Sequence, residues 1–425
     1  MAKPEGSGPN STTFDELLHP LKSPLATIEE NRTPHHREVL SFTAFVRLLV
    51  YYFTKKEVES GRQLLNDTLS AAKELGLQVV NRSTFFDAFQ RFPVEWFVTL
   101  LTTLLTTVAW KAIPELEALG TLYCVDGSLF PALATMLWAE YKTNCPAIRL
   151  HLCFELNRML AVQFIVAEGN SNEKAALRQM LEAGVTYIAD RGYVSFPLLA
   201  DIVTAGAHFV MRMKANPSTS SGHRLDYSVV ETLTVELPET ARHLFAAVTD
   251  QRVRLNNAHE QPIYRLVTFR VGKEHYLVLT DRLDLTTFQV ILLYAYRWQV
   301  ELIFRFLKRT VNGLHLISTS EEGVTIQFYA LLIAALLQLH LKQRCVEAYE
   351  GARRAPMNPP AEASSLPGLM VDPEKLASAR GSTFLATVGE KLHHYWKISV
   401  HWLVTLCNLL AQPFDQRAIR LLARF

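Results

Sequence analysis

Between Gly120 and Lys214 the sequence alternates short β-rich runs with amphipathic stretches in the order β-β-β-α-β-α-β, and few folds accept that order. The strands are expected at residues 121–125, 149–156, 159–167, 185–189 and 208–214, and the helices at 172–183 and 196–205. The first three strands can form a meander, with a tight polar turn at Asn157-Arg158 between the second and third. The last two need crossover connections, which predicts a mixed sheet flanked by helices. From Asn216 the chain turns polar, then offers four more β-rich runs at 229–237, 251–255, 264–271 and 275–280. This segment reads as a β-rich insertion ahead of the next helix.

The flanks of this region look helical. In the first third, 42–52, 58–75 and 94–108 carry apolar residues at three- and four-residue spacing. The stretch from Asn81 to Phe89 opens with capping residues. With the helix before it, it suits either a helix-turn-helix or a packed bundle. The run 324–341 is apolar enough to raise a membrane span, but it contains Gln327, Gln338 and His340 and is barely long enough. A buried core helix, and no membrane partner, is the expectation. Residues 351–382 are rich in Pro, Ala, Gly and Ser and read as a linker. The stretch 383–425 reads as helical and places Arg417, Arg420 and Arg424 at helical spacing. The implied layout is a helical region at 1–119, a core at 120–215 and 286–345 interrupted by the insertion at 216–285, a linker at 346–382 and a helical end at 383–425.

Length and composition agree with several structural units. A chain of 425 residues exceeds one simple core, and 49% hydrophobic with 20% charged residues is globular. A net charge of +2 neither announces nor excludes a nucleic-acid partner, because binding depends on where cations cluster. The five cysteines form no CxxC pair, so neither a zinc site nor a disulfide framework is expected. Singly scattered thiols fit a reducing cytosol, and residues 1–13 show no secretory signal, so a cytoplasmic location is expected.

Two acids stand at expected strand ends: Asp126 in Asp126-Gly127-Ser128 and Asp190 in Asp190-Arg191-Gly192-Tyr193. Both precede residues that allow a sharp turn, where a rigid sheet exposes side chains. If strands one and four are neighbours, the two carboxylates lie side by side. A third acid lies in the run from Tyr294 to Lys308, read as helical, which carries Arg297, Trp298, Glu301 and Lys308. At 100° per residue, Tyr294, Arg297, Glu301 and Lys308 fall on one stripe about 20 Å long, enough to follow several phosphates. Three adjacent carboxylates repel unless a cation neutralises them. Magnesium prefers such oxygen ligands, and two ions can serve both the attacking and the leaving oxygen of a phosphodiester. Each piece also has a plainer use. An Asp after a strand forms turns, Arg297 and Glu301 can pair on a solvated helix face, and Trp298 can pack in a core.

Tyr294-x2-Arg297-x3-Glu301-x6-Lys308 resembles the YREK signature of DDE transposases from bacterial insertion sequences, the insertion sequence four type. Asp126 in Val-Asp-Gly-Ser and Asp190 in Ala-Asp-Arg-Gly-Tyr are similar to the first and second acidic motifs of that family. The resemblance covers about 120–341. It implies an RNase H-like core carrying a β-rich insertion, and Mg²⁺, with Mn²⁺ able to substitute, as two ions held by Asp126, Asp190 and Glu301. It implies cutting and joining of double-stranded DNA at inverted-repeat ends and target sites. Arg297 and Lys308 would contact phosphates, Tyr294 could donate to one, and Trp298 would stack on an unpaired base or pack in the core. Joining two ends in one complex calls for a homodimer. The competing readings are a transposase-derived DNA-binding protein that no longer cuts and a metal-dependent nuclease without strand transfer. A sugar hydrolase using two carboxylates gains little support from the cationic helix.

Overall fold

The computed structural model describes residues 13–354 apart from 56, 140, 142–144, 215–224 and 310, with the side chains at 73, 74, 345, 346 and 348–354 also left aside. The expected C-terminal helix with Arg417, Arg420 and Arg424, and the linker from 355 onward, lie outside the described residues. Over the described residues the chain forms two compact units, one from 13–110 and 306–354, the other from 111–305.

The first unit opens with α1 (Thr13–Leu18), a 3-10 turn (His19–Leu21), α2 (Lys22–Asn31), α3 (Phe42–Thr54), α4 (Gly61–Leu75), α5 (Arg82–Arg91) and α6 (Val94–Thr107). Serines start two of these helices. Ser41 accepts from Ala44 N–H at 3.1 Å and Ser60 from Gln63 N–H at 3.2 Å. The Ser60 cap explains why α4 begins at Gly61 and not at 58. Asn81 precedes α5 as expected, yet its side chain makes no capping bond. Phe42 and Phe45 are the centre of the aromatic core, with ring centroids 5.0–6.2 Å from those of Phe85, Phe89, Phe92 and Phe97. Helix α5 therefore packs as a bundle member through Phe85, Ala88 and Phe89, and leaves Arg82, Ser83, Asp87 and Gln90 exposed.

The second unit contains α7 (Pro114–Glu117), β1 (Thr121–Pro131), β2 (Ala147–Glu155), β3 (Leu160–Glu168), α8 (Glu173–Gln179), β4 (Val185–Ala189), α9 (Phe196–Thr204) and β5 (His208–Arg212). It continues with β6 (Tyr227–Thr232), α10 (Glu239–Arg242), β7 (Ala246–Leu255), β8 (Ile263–Val271), β9 (Glu274–Thr280), α11 (Thr287–Tyr296) and α12 (Trp298–Arg309), whose last turn runs into the first unit. The nine strands among the described residues join one sheet in the order β3-β2-β1-β4-β5-β9-β8-β7-β6. The meander β1-β2-β3 is antiparallel, and β1, β4 and β5 run parallel. The insertion builds no sheet of its own. Its strand β9 pairs antiparallel with β5 and covers an edge that would otherwise be open.

One expectation fails at β1. The strand does not turn at Asp126-Gly127 but stays extended to Pro131. The parallel partner β4 ends opposite Val125, while β2 remains paired from Tyr123↔Glu155 to Pro131↔Ala147, so backbone hydrogen bonds to β2 keep the chain straight. The turn at Asn157 is also more than a polar corner. Asn157 is buried, accepts from Leu122 N–H at 2.9 Å and donates to the carbonyls of Leu116 and Gly120.

Alternation along the strands sorts side chains between two faces. Val125, Tyr187, Ala189, Phe209 and Met211 pack with Leu177 of α8 and Leu198, Leu199 and Ile202 of α9. Each aliphatic side chain so buried contributes about 1.5–3 kcal/mol. The other face receives α11, which lies against β4, β5, β8 and β9. The chain then returns to the first unit as α13 (Glu321–Arg354). Its apolar segment Glu321–Arg344 meets the length and composition of a membrane span, but 78% of the apolar window is buried, and α3, α5 and α6 pack on this helix. Gln327 is satisfied there, accepting from Ile317 N–H at 2.6 Å and donating to Gly323 O at 3.3 Å.

Candidate active site

The parallel register of β1 and β4 brings the two strand acids together. Val125 is paired with Ala189, so Asp126 stands one step past the last register pair on β1 and Asp190 directly follows the end of β4. The same row continues to Arg212, one step past the pair Ala189↔Met211 on β5. Because the preceding row faces α8 and α9, this row faces α11. Asp190 directly follows β4 and begins a turn closed by Tyr193 N–H on Asp190 O at 3.0 Å.

Helices α11 and α12 supply the remaining candidates, but not as one uniform stripe. Arg297 interrupts the helix. Its N–H bonds Tyr294 O at 3.1 Å, and Val300 N–H bonds Arg297 O at 3.1 Å, both three residues back. Such tight turns advance the chain by more than 100° per residue, so the simple helical-wheel alignment breaks there. Tyr294 is consequently buried, 2% exposed, and its hydroxyl donates to Asp190 Oδ1 at 3.1 Å. Arg297 Nη2 donates to Glu301 Oε1 at 3.0 Å, and its guanidinium stands 5.8 Å from the centre of the Tyr294 ring. Trp298 is half-buried at the start of α12. Lys308, half-buried in the last turn, lies in the first unit, and burial lowers its pKa.

Charge is poorly balanced around Asp126. Burial pushes its carboxyl up to about 6; Gly127 N–H, donating to Oδ1 at 2.8 Å, and Arg297 oppose this, while Glu301 and Glu173 add to it. Burial likewise raises the Tyr294 phenol to about 12, helped by Asp190 and opposed by Arg297 and Arg212. Arg297 is pushed up despite its burial by Tyr294, Asp190 and Glu301. Asp126, Asp190 and Glu301 offer only carboxylate oxygens, the donor set that magnesium prefers. A divalent cation would offset the cost of burying the Asp126 charge. Among the described residues, no three His, Cys, Asp or Glu side chains are gathered closely enough to hold an ion as they stand. Glu301 is engaged by Arg297 and Asp190 by Tyr294.

Two residues near these acids escaped the sequence reading. Arg212 stacks 4.3 Å from the Tyr276 ring centre and lies 3.6 Å from Glu274, both on β9. Its alternation with Lys214 was visible in sequence, but its neighbours come from a strand more than sixty residues away. Glu173 resembles any acid in the first turn of a helix. Only the fold brings its charge to bear on Asp126.

The sequence pattern described as Transposase DDE domain matches residues 118–337. The chain is 26% identical over 229 residues to y4zB of Sinorhizobium fredii, which carries a transposase name, covering 52% of this chain and 62% of that protein. It is 24% identical over 200 residues to a protein of Geobacillus stearothermophilus named a probable transposase for insertion sequence element IS5377, covering 47% and 51%. The chain thus spans less than two thirds of these relatives' lengths. It is also similar to a piggyBac transposase synaptic complex with hairpin DNA, at 11% identity and a TM-score of 0.39, over 94% of this chain and 84% of that one.

Proposed function

Since the chain belongs to the transposase DDE domain family, we propose that it cuts and joins DNA at the ends of its own insertion sequence. The finer assignment is to the group with the Tyr294, Arg297, Glu301 and Lys308 signature, built on an RNase H-like core. The strand order β3-β2-β1-β4-β5, antiparallel on one side of β1 and parallel on the other, supports that core. The observation that carries the catalytic reading is the register: Asp126 and Asp190 follow paired residues on neighbouring strands, on the face that receives α11.

Asp126, Asp190 and Glu301 would hold divalent cations, which supply charge stabilisation for in-line attack on a phosphodiester. The protein's own residues set the rest. Tyr294 donates to Asp190 and would orient that carboxylate, a different use from a phosphate contact. Arg297 would exchange Glu301 for a DNA phosphate, freeing the carboxylate to turn toward the two aspartates. Lys308 would add a second phosphate contact, and Trp298, half-buried, would stack on a base lifted from the duplex. The exposed residues of α5 are the proposed contact to the element ends, and two copies of the chain would bring two ends together.

The test is cleavage of DNA carrying the inverted repeats that flank the gene. Asp126→Asn, Asp190→Asn and Glu301→Gln are each expected to lower Mg²⁺-dependent cleavage about a thousandfold, since cation stabilisation is worth several kcal/mol. End binding in EDTA should persist. Any one of the three cutting at the parent rate overturns the assignment. Cleavage without joined products would identify a nuclease, and a footprint without strand breaks a protein that only binds.

A further inference from the structure

Arg212, the last residue of β5, takes no part in the chemistry described so far. β1, β4 and β5 run parallel, so it stands at the sheet end where Asp190 follows β4, the end at which ligands of parallel strands gather. Its backbone is fixed there. It pairs with Val278 of β9, and Met213 N–H bonds Leu277 O at 2.7 Å. Met211 packs in the core with α8 and α9, so alternation turns Arg212 to the face that receives α11. Its guanidinium stands 4.3 Å from the Tyr276 ring centre. That ring is 6.1 Å from the ring of Tyr294, whose hydroxyl donates to Asp190.

The charge on Arg212 is poorly matched. Its side chain is 16% exposed, and among the described residues its ion-pair partner is Glu274, 63% exposed and 3.6 Å away, beyond hydrogen-bond range. A hydrogen bond to the Tyr294 phenol adds a neutral partner and leaves the positive charge unmatched. Other sheltered arginines of this unit are built differently. Arg149, Arg265 and Arg282 each hold a carboxylate at 2.5–2.7 Å. Stacking on Tyr276 uses the flat of the guanidinium and leaves its N–H donors in the plane, in the fork geometry that suits a phosphate. A sheltered cation with so loose a partner is suited to receive an anion from outside.

We propose that Arg212 takes a phosphate of the DNA backbone at this end of the sheet, with Tyr276 as its platform and Glu274 as the partner that the phosphate replaces. This rests on the DNA reading above and needs no cation. It gives the sheet itself a phosphate contact, outside the signature and separate from Arg297.

Binding of the full chain to duplex DNA carrying the inverted repeats, measured over a range of salt in EDTA, tests it. Arg212→Gln should bind about tenfold more weakly and lose about one unit of salt slope. Glu274→Gln should bind at least as tightly as the parent. Duplexes with one phosphate replaced by a neutral methylphosphonate locate the contact. At one linkage near the cut the replacement should weaken the parent about tenfold and leave Arg212→Gln unaffected. An unchanged slope in Arg212→Gln, or equal sensitivity to parent at every linkage, overturns the proposal. So does a Glu274→Gln variant that binds as weakly as Arg212→Gln, which would make the pair structural. Should Arg212→Gln fail to fold, Arg212→Lys is read in its place, and parent affinity at every linkage overturns the contact. Each of these results leaves the DNA reading intact as long as the parent binds the repeats. A parent that binds no DNA removes both.

Discussion

Two arginine–carboxylate pairs in the same unit show how differently one interaction can be built. Arg265 and Asp250 sit on β8 and β7, 5% and 0% exposed, and leave nothing unsatisfied. Arg265 Nε and Nη2 reach the two Asp250 oxygens at 2.8 and 2.6 Å, Thr287 donates to the same carboxylate at 2.7 Å, and Arg265 Nη1 donates to Leu285 O. Arg297 and Glu301 share a single bond at 3.0 Å, are 13% and 31% exposed, and leave Arg297 Nε without a partner among the described residues. The first pair ties the inserted strands to the start of α11. The second is only partly satisfied and lies where the charges of Asp126 and Asp190 also act on Arg297. A fully satisfied pair is architecture; a half-satisfied one is the pair that the proposed exchange with a DNA phosphate would use.

The largest expected effect breaks the closed pair. Arg265→Ala strands a buried carboxylate and should cost about 3–5 kcal/mol in urea unfolding, whereas Arg265→Met with Asp250→Leu should cost far less. Equal losses would mean that packing, not charge, sets the penalty.

Next comes Asp126. Its folded pKa of about 6 lies above the ordinary 3.8, so burial disfavours the ionised form. The group's contribution to stability is full below pH 3.8 and is lost as pH rises through about 6. Asp126→Asn should therefore stabilise the protein at pH 8 in EDTA, on the order of 3 kcal/mol. It should do nothing comparable at pH 3.5. A gain of the same size at both pH values would show that charge burial is not the cause.

Smaller effects test the open side. Tyr294→Phe removes one hydrogen bond to a carboxylate, worth about 1.5–3 kcal/mol where it acts, and should slow cleavage about tenfold or somewhat more with the fold preserved. A parent rate would assign Tyr294 to packing alone. Arg297→Ala leaves Glu301 partly solvated, so its test lies in DNA binding and not in folding. Its signature is a salt dependence of DNA binding reduced by about one phosphate contact. An unchanged slope would leave Arg297 with no role beyond its pair.

Local pattern was legible wherever local forces decide. β4 covers the expected 185–189, and α9 and β5 begin where expected. The errors lie where distant partners overrule neighbours. β1 runs on past Asp126 because β2 supplies hydrogen bonds that no short window contains. The inserted strands add to the main sheet because β5 offers an edge to β9. The helix bearing the signature tightens at Arg297, and Tyr294 points into the protein toward Asp190. Glu173 and Arg212 carry no sequence mark that separates them from ordinary surface charges.

Sequence alone determined the kinds of groups in play, their order along the chain and the periods that make strands and helices, because those depend on a residue and its near neighbours. Tertiary structure alone decided that β1 and β4 are neighbours, so that Asp126 and Asp190 follow paired residues, that Asp126 is buried enough to resist ionisation and that Arg297 pairs with one carboxylate while acting on the others. Strand register and desolvation arise from segments far apart in the chain, and no local spacing encodes them.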